Sequence, residues 1–231
     1  MNTYYPMYAS KISYQERKYD LDSMLFSTEE RNGDVKVRKV AIGSKQLTYD
    51  GYDNSKGSSH TVNNDSVFLT GVLYAHELRA IAMLDIQNAF LYAENNEYVC
   101  MLLSGKLAEL LVKVNPSFYR KYVITSKQGV TMLYFKLTKA LYVMLRSAML
   151  FYKKLRGRLD GTGFEVNPYL CVANKVVNGS QMTVCWHVDD MRISHIEEDS
   201  ILAPVHVHTQ LLMYRTPSYS GPVAKYPTYP C

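Results

Sequence analysis

Hydrophobic and polar positions recur with two different periods along this chain, and the switches between them set out its elements. "SMLFSTEE" and "VKVRKVAIG" are alternating, β-branched stretches on either side of "RNGD", and Asn32-Gly33 is a turn that such a hairpin favours. "DSVFLTGVLYAHELRA" carries Val67, Val72, Leu73 and Leu78 near helical spacing, with Asn64 or Asp65 as its N-cap. "IAMLDIQNAF" predicts a short apolar strand ending on Asp85. From 98 to 135 the pattern predicts a strand ("EYVCMLL"), a helix ("KLAELLVKV"), a short helix after Pro116 and a hairpin turning at Gln128-Gly129. Leu141, Leu145, Ala148, Tyr152, Leu155 and Leu159 fall three or four residues apart and predict a long amphipathic helix, which Gly161 or Gly163 stops. "LCVANKVV" and "QMTVCWHV" flank Asn178-Gly179 as a second clear hairpin, and "MRISH" follows as a third strand.

Three stretches lack a period. Residues 1–21 are polar and Tyr-rich, and "TYDGYDNSKGSSHTVNND" reads as a polar loop. Residues 199–231 hold five prolines and many tyrosines, the composition of a poorly ordered tail. The expectation is therefore an α+β domain over 22–198, in which helices back an antiparallel sheet, with a polar segment before it and a tail after it.

At 231 residues the chain is long enough for one large domain or two small ones, and its net charge of +5 is a mild basic bias compatible with a polyanionic partner. No apolar run approaches a membrane span, and "MNTYYPMYASK" lacks a signal peptide's apolar stretch. The expected location is cytoplasmic or nuclear, neither secreted nor membrane. Cys100, Cys171, Cys185 and Cys231 are scattered without a C-x-x-C pair, so they read as reduced thiols. His76, His187 and His195 form no metal set, and His206-x-His208 reads as chance.

"WHVDDMRISH" places Asp189 and Asp190 side by side, where their charges repel. Such a pair is either a turn, since Asp tolerates turn geometry, or a place that concentrates negative charge for a metal ion. If the strands ending at Asp85 and at Asp189 are neighbours, the carboxylates converge at a sheet end. Magnesium, which takes one or two protein carboxylates plus substrate phosphates, then suits the site. Both readings stay open on spacing alone.

Four stretches carry a resemblance. "MLDIQNAFLYAENNEYV" resembles the first catalytic motif of copia-type LTR-retrotransposon reverse transcriptases, D-V/I-x-x-A-F-L followed by acidic residues. "YFKLTKALYVMLRSAMLFYKKLRGRLDGTGF" is similar to the next motif, with its L-Y-G segment, helix and final G-F. "NPYLCVANKVVNGSQMTVCWHVDDM" resembles the D-x-C strand, turn and Y-V-D-D box, and "VKVRKVAIGSKQ" the fingers strand K-x-R-x-V-A-x-G-x-x-Q. They stand in family order over about residues 22–198.

The resemblance implies a right-hand polymerase fold with fingers and palm, and RNA- and DNA-templated DNA synthesis with two Mg²⁺ ions (Mn²⁺ as a substitute). Its partners would be an RNA template, a DNA primer and deoxynucleoside triphosphates. Carried over by position, Asp85, Asp189 and Asp190 are the catalytic carboxylates, Asp85 and Asp189 the likelier direct ligands, and Ile86 offers a backbone carbonyl to the second metal. Phe90 matches the aromatic that blocks a ribose 2′-hydroxyl, and Arg38 with Lys39 or Lys36 matches cations that meet the triphosphate. Tyr142 sits where the family places a residue against the incoming nucleotide; by itself it reads as helix core. Lys153, Lys154, Arg156 and Arg158 are either backbone-binding cations or a solvated helix face.

The sequence departs from the family in several places. Val143 replaces the Gly of L-Y-G, His187 replaces the Tyr of Y-V-D-D, and "DGYDNSKGSSH" differs from the usual Pro-containing loop. Past residue 199 no further palm, thumb or RNase H pattern is recognised, nor is any protease, integrase or nucleocapsid pattern found. Two functions therefore stay open: a reverse transcriptase fingers–palm region, weak or inactive in this chain, and a non-catalytic remnant of a retroelement reading frame that at most binds nucleic acid. An unrelated metal-dependent nucleotidyl transferase on a similar palm is set aside behind these two, because the fingers and helix motifs also match.

Overall fold

The computed structural model describes residues 3–29, 33–44, 59–86, 88–167 and 169–201. Asn32, most of the polar loop, and the tail with His206, His208 and Cys231 lie outside the described residues, as do the side chains of Lys36 and Lys39. The chain divides into two compact units, Met1–Ser58 with Ala93–Leu150 and Ser59–Tyr92 with Phe151–Cys231.

The first unit is a six-stranded sheet in the order β1 (Tyr4–Met7), β7 (Thr131–Leu137), β5 (Cys100–Ser104), β2 (Leu21–Glu29), β3 (Val35–Ile42), with β6 (Ile124–Thr125) beside β7. Its ladders are antiparallel except β2 with β5, which run parallel at Leu21↔Met101 and Asp22↔Leu102. Leu21, Met101, Leu133, Phe135 and Leu137 are fully buried and form its core. The aperiodic N-terminal segment proves ordered. β1 pairs with β7 from Tyr4↔Leu137 to Met7↔Tyr134, and the Tyr4 ring meets Phe135 edge-on at 5.0 Å. Helix α1 (Tyr14–Lys18) follows behind a capping box. The Ser13 hydroxyl accepts from the Glu16 amide, and the Glu16 carboxylate accepts from the Ser13 amide, which holds that carboxyl below its usual range. A four-residue strand and a one-turn helix are too short to impress a period on the sequence, which is why this segment reads as featureless.

Helices α3 (Lys106–Val114) and α4 (Pro116–Tyr119) lie between β5 and β6. Asn115 caps α4 by accepting from the Phe118 amide, and Pro116 stands where its missing N–H costs nothing.

The second unit is a five-stranded, wholly antiparallel sheet in the order β4 (Ala80–Asp85), β11 (Asp190–His195), β10 (Ser180–His187), β9 (Val172–Val177), β8 (Glu165–Asn167). One sheet backed by helices was expected; two sheets form because β4 pairs with distant β11 while β5 pairs with β7 and β2. Local alternation reveals strands but not their partners. Asn178 (φ 50°) and Gly179 (φ 77°) make the expected β9–β10 turn, both in the left-handed region that a type I′ turn needs.

Helix α2 (Asn64–His76) starts at Asn63, whose side chain accepts from the Ser66 amide at 2.8 Å, so the cap lies one residue before the expected pair. Its buried stripe is Ser66, Thr70 and Tyr74, whereas Val72, Leu73 and Leu78 face out. Thr70 can be buried there because its hydroxyl donates to the Ser66 carbonyl at 2.7 Å. Arg79, buried between α2 and β4, pairs with Glu77 and donates to Thr183 on β10.

Helix α5 (Ser147–Gly161) buries Phe151, Tyr152, Leu155 and Leu159. It begins later than the expected Leu141. The stretch before it turns at Val143, and Ser147 donates back to the Leu141 carbonyl. Gly163 (φ 84°) ends it, the Phe164 amide returning to Leu159 and the Gly163 amide to Asp160.

Candidate catalytic carboxylate site

Three strands of the second unit bring the acidic residues together. Asp85, the last residue of β4, is the direct ladder partner of Asp190, the first of β11, and Asp190 is in turn the partner of His187, the last of β10. Directly opposed residues of antiparallel strands project from the same face with Cβ atoms about 4.5–5.5 Å apart. Asp85, Asp190 and His187 therefore form a transverse row, and all three are exposed. Val188 and Asp189 make the two-residue connection. The Ile86 amide donates to the Asp189 carbonyl at 3.0 Å, fastening the hairpin tip to the end of β4.

Val188 sits at φ 56° at the first position of that connection, a place where glycine is the ordinary occupant. A β-branched residue there is a conformational outlier, and such outliers persist where surrounding structure over-determines them, commonly at functional sites. Here the surroundings are the His187–Asp190 ladder pair and the Ile86 bond.

The carboxylates of this row offer oxygen donors, which suit a hard divalent cation. Among the described residues, no group of three or more His, Cys, Asp or Glu converges closely enough to hold a metal ion. A magnesium ion held by two carboxylates plus substrate phosphates does not require one. Asp85 opposite Asp190 supplies two, and the half-buried Asp189 is beside them. The Ile86 carbonyl already accepts from the Ala89 amide at 3.1 Å, leaving its second lone pair for any other partner.

The other expected residues divide between the units. Phe90 lies in a 3₁₀ turn (Ala89–Tyr92) of the second unit, half-buried, its ring 6.3 Å from Phe151 in an edge-on contact. On α5 Lys153 and Arg158 are exposed and Lys154 and Arg156 half-buried, with Arg156 paired to Asp160 at 3.7 Å. Arg38 and Tyr142 belong to the first unit. Arg38 is exposed on β3 opposite Phe26, while Tyr142 bridges to Val40 and accepts from the Ala41 amide at 3.1 Å, fastening the L-Y-V segment to β3.

Val143 has φ 71°. The left-handed conformation costs an ordinary residue roughly 1–2 kcal/mol, and a β-branched one is worse placed still. The position thus has the backbone for which glycine is suited, and valine occupies it. Because Val143 is 56% exposed, little packing is lost on removing its side chain. After the ~0.5–1 kcal/mol entropic cost of glycine, Val143→Gly is expected to stabilise the protein by about 1 kcal/mol and raise its melting temperature by ~2–4 °C. An unchanged or lower midpoint in a thermal melt would refute this.

The remaining candidates are structural. Burial pushes the Cys100 thiol up to about 12 and Cys171 to about 11, and raises Cys185 as well, so these thiols stay protonated and unreactive at neutral pH. His195 is fully buried; its Nδ1 accepts from the Glu197 amide at 3.1 Å, and Nε2 lies 3.1 Å from the Val177 carbonyl.

Among the described residues, no helix is long and apolar enough to cross a membrane. No protein-family model and no curated protein matches the sequence. Among solved structures, a telomerase from Candida albicans in complex with a TWJ fragment of telomeric RNA is distantly similar, with 9% identity and a TM-score of 0.38. The similarity covers 88% of this chain and 42% of that one, so this chain spans less than half its length.

Proposed function

We propose that this chain is the fingers–palm region of a retroelement reverse transcriptase of the copia type, which extends a DNA primer on an RNA or DNA template. The observation that carries the reading is Asp85 opposite Asp190 across one ladder, with Asp189 in the turn fastened by the Ile86 amide. Like charges directly opposed destabilise a sheet, so this arrangement calls for a compensating cation. Asp85 and Asp189, with Asp190, would hold the divalent ions, which when bound lower the pKa of the attacking hydroxyl and offset charge on the leaving group. In the reaction the primer 3′-oxygen forms a bond to the α-phosphorus, the bond to pyrophosphate breaks, and the hydroxyl proton passes to solvent. The carboxylates orient the reacting groups. Phe90, in the same unit as the carboxylates, would face the sugar.

The non-catalytic reading draws support from Val143, whose left-handed backbone carries two methyls where the resembling family has none. Primer extension on an RNA template separates the two. The polymerase reading expects extension by the unmodified chain, faster in Val143→Gly and lost in Asp189→Ala. Silence from both the unmodified chain and Val143→Gly, each shown to be folded, would support the remnant.

A further inference from the structure

Outside the motifs that carry the resemblance, the first unit holds an array of rings and cations that the proposed chemistry does not use. The Tyr8 and Tyr122 rings lie 4.6 Å apart, and Tyr122 lies 6.1 Å from Phe118. Lys121 sits over both Phe118 (5.8 Å) and Tyr122 (5.2 Å), and Lys11 over Tyr8 (5.9 Å). Tyr8 and Phe118 remain 41% and 42% exposed, and Lys11, Arg120 and Lys121 are exposed too. Among the described residues, none of these three cations is in an ion pair with a carboxylate. The segment from Lys106 to Lys127 has five basic residues and one acidic, a net +4, in a chain whose total is +5. Of these cations, Arg120 and Lys121 flank the rings in sequence, in the turn that follows Phe118 and contains Tyr122.

We infer that Tyr8, Phe118 and Tyr122, with Lys11, Arg120 and Lys121, form a surface that binds single-stranded nucleic acid. Exposed ring faces accept stacked bases of any sequence, and cations beside them neutralise phosphates, the combination that sequence-tolerant single-strand binders use. A protein partner would need acidic groups for the cations and would leave the cluster of exposed rings unexplained; unpaired bases match both. The surface requires no catalysis and is tested without it.

The measurement is fluorescence anisotropy of labelled, unstructured RNA and DNA 20-mers, titrated with the full chain in a metal-free, nucleotide-free buffer over a range of salt. Tyr8→Ala/Phe118→Ala should weaken binding at least tenfold, the equivalent of one lost stacked base. Lys121→Glu should flatten the dependence of log affinity on log salt by about 0.7 or more, as one lost phosphate contact does for single strands. Lys121→Glu keeps all three rings, so it stays informative if the aromatic double variant does not fold. Equal losses for RNA and DNA mark a general single-strand surface, and a larger loss for RNA marks one that also reads the ribose. Absence of binding by the unmodified chain, or unchanged affinity and salt slope in folded variants, overturns the inference. Absence of primer extension does not, because the two readouts share no step.

Discussion

Asp85→Asn is expected to abolish primer extension while making the metal-free protein more stable. The stability gain follows from the ladder: Asp85 and Asp190 are direct partners, and removing one of two opposed like charges should return roughly 0.2–1 kcal/mol. Loss of extension follows from the proposed role of Asp85, whose carboxylate would hold the reacting charges. Several kcal/mol of transition-state stabilisation is at stake, and ~4 kcal/mol corresponds to on the order of 10³-fold in rate. A thermal-shift titration provides a readout besides activity. Magnesium or manganese at 100 times its Kd should stabilise the unmodified chain by about 2.7 kcal/mol, and the shift should vanish in Asp85→Asn. An equal shift in both proteins would remove the metal from this site. A metal-free Asp85→Asn that melts lower than the unmodified chain would contradict the electrostatic reading of the ladder.

Trp186→Ala should cost about 3–5 kcal/mol, the usual range for truncating a large buried aromatic. Trp186 is 2% exposed, its ring centroid lies 6.4 Å from that of Tyr152, and its backbone amide donates to the Cys171 carbonyl at 3.1 Å. The residue immediately precedes His187 and the Val188-Asp189 connection, so repacking beneath it should disturb the carboxylates. The melting midpoint should fall by on the order of 10 °C, and extension should fall with it. Trp186→Phe should be much milder. The indole N–H has no hydrogen-bond partner among the described residues, and burying an unsatisfied donor costs roughly 1–3 kcal/mol. Phenylalanine gives up area but also removes that donor, so a net cost below ~1.5 kcal/mol is expected. Chemical denaturation of the three proteins decides; equal losses for Ala and Phe would show that the N–H is satisfied.

The strands around the site were legible because alternation and the Asn178-Gly179 pair are local signals, and β4, β9, β10 and β11 fall where the pattern puts them. Register was not legible. Nothing in the spacing says that Asp85 faces Asp190 rather than Asp189, since a slip of one residue leaves the alternation of each strand unchanged. Helix α2 was legible as a helix but not for its buried side. Its apolar residues outnumber its polar ones, yet the stripe taken inward is Ser66, Thr70 and Tyr74, where small residues allow close approach and one large ring fills the space. Leu78 (φ 52°) ends that helix in a conformation usually given to glycine, so no stop signal could be read there. The array of Tyr8, Phe118 and Lys121 was invisible for another reason: its members come from the N-terminal segment and from α4 with the turn after it, which no periodicity connects.

Among the described residues, β4 stands at the edge of its sheet with β11 as its one ladder neighbour. On a ribosome, the apolar segment Ala80–Asp85 is made long before Asp190–His195. At ~5–20 residues per second it waits on the order of ten seconds for its partner. Throughout that interval a nascent chain presents a bare strand edge open to the wrong partner. The same delay means that Asp85 and Asp190 become neighbours only in a late event, so any ion binding that needs both carboxylates would report completion of this sheet rather than progress toward it.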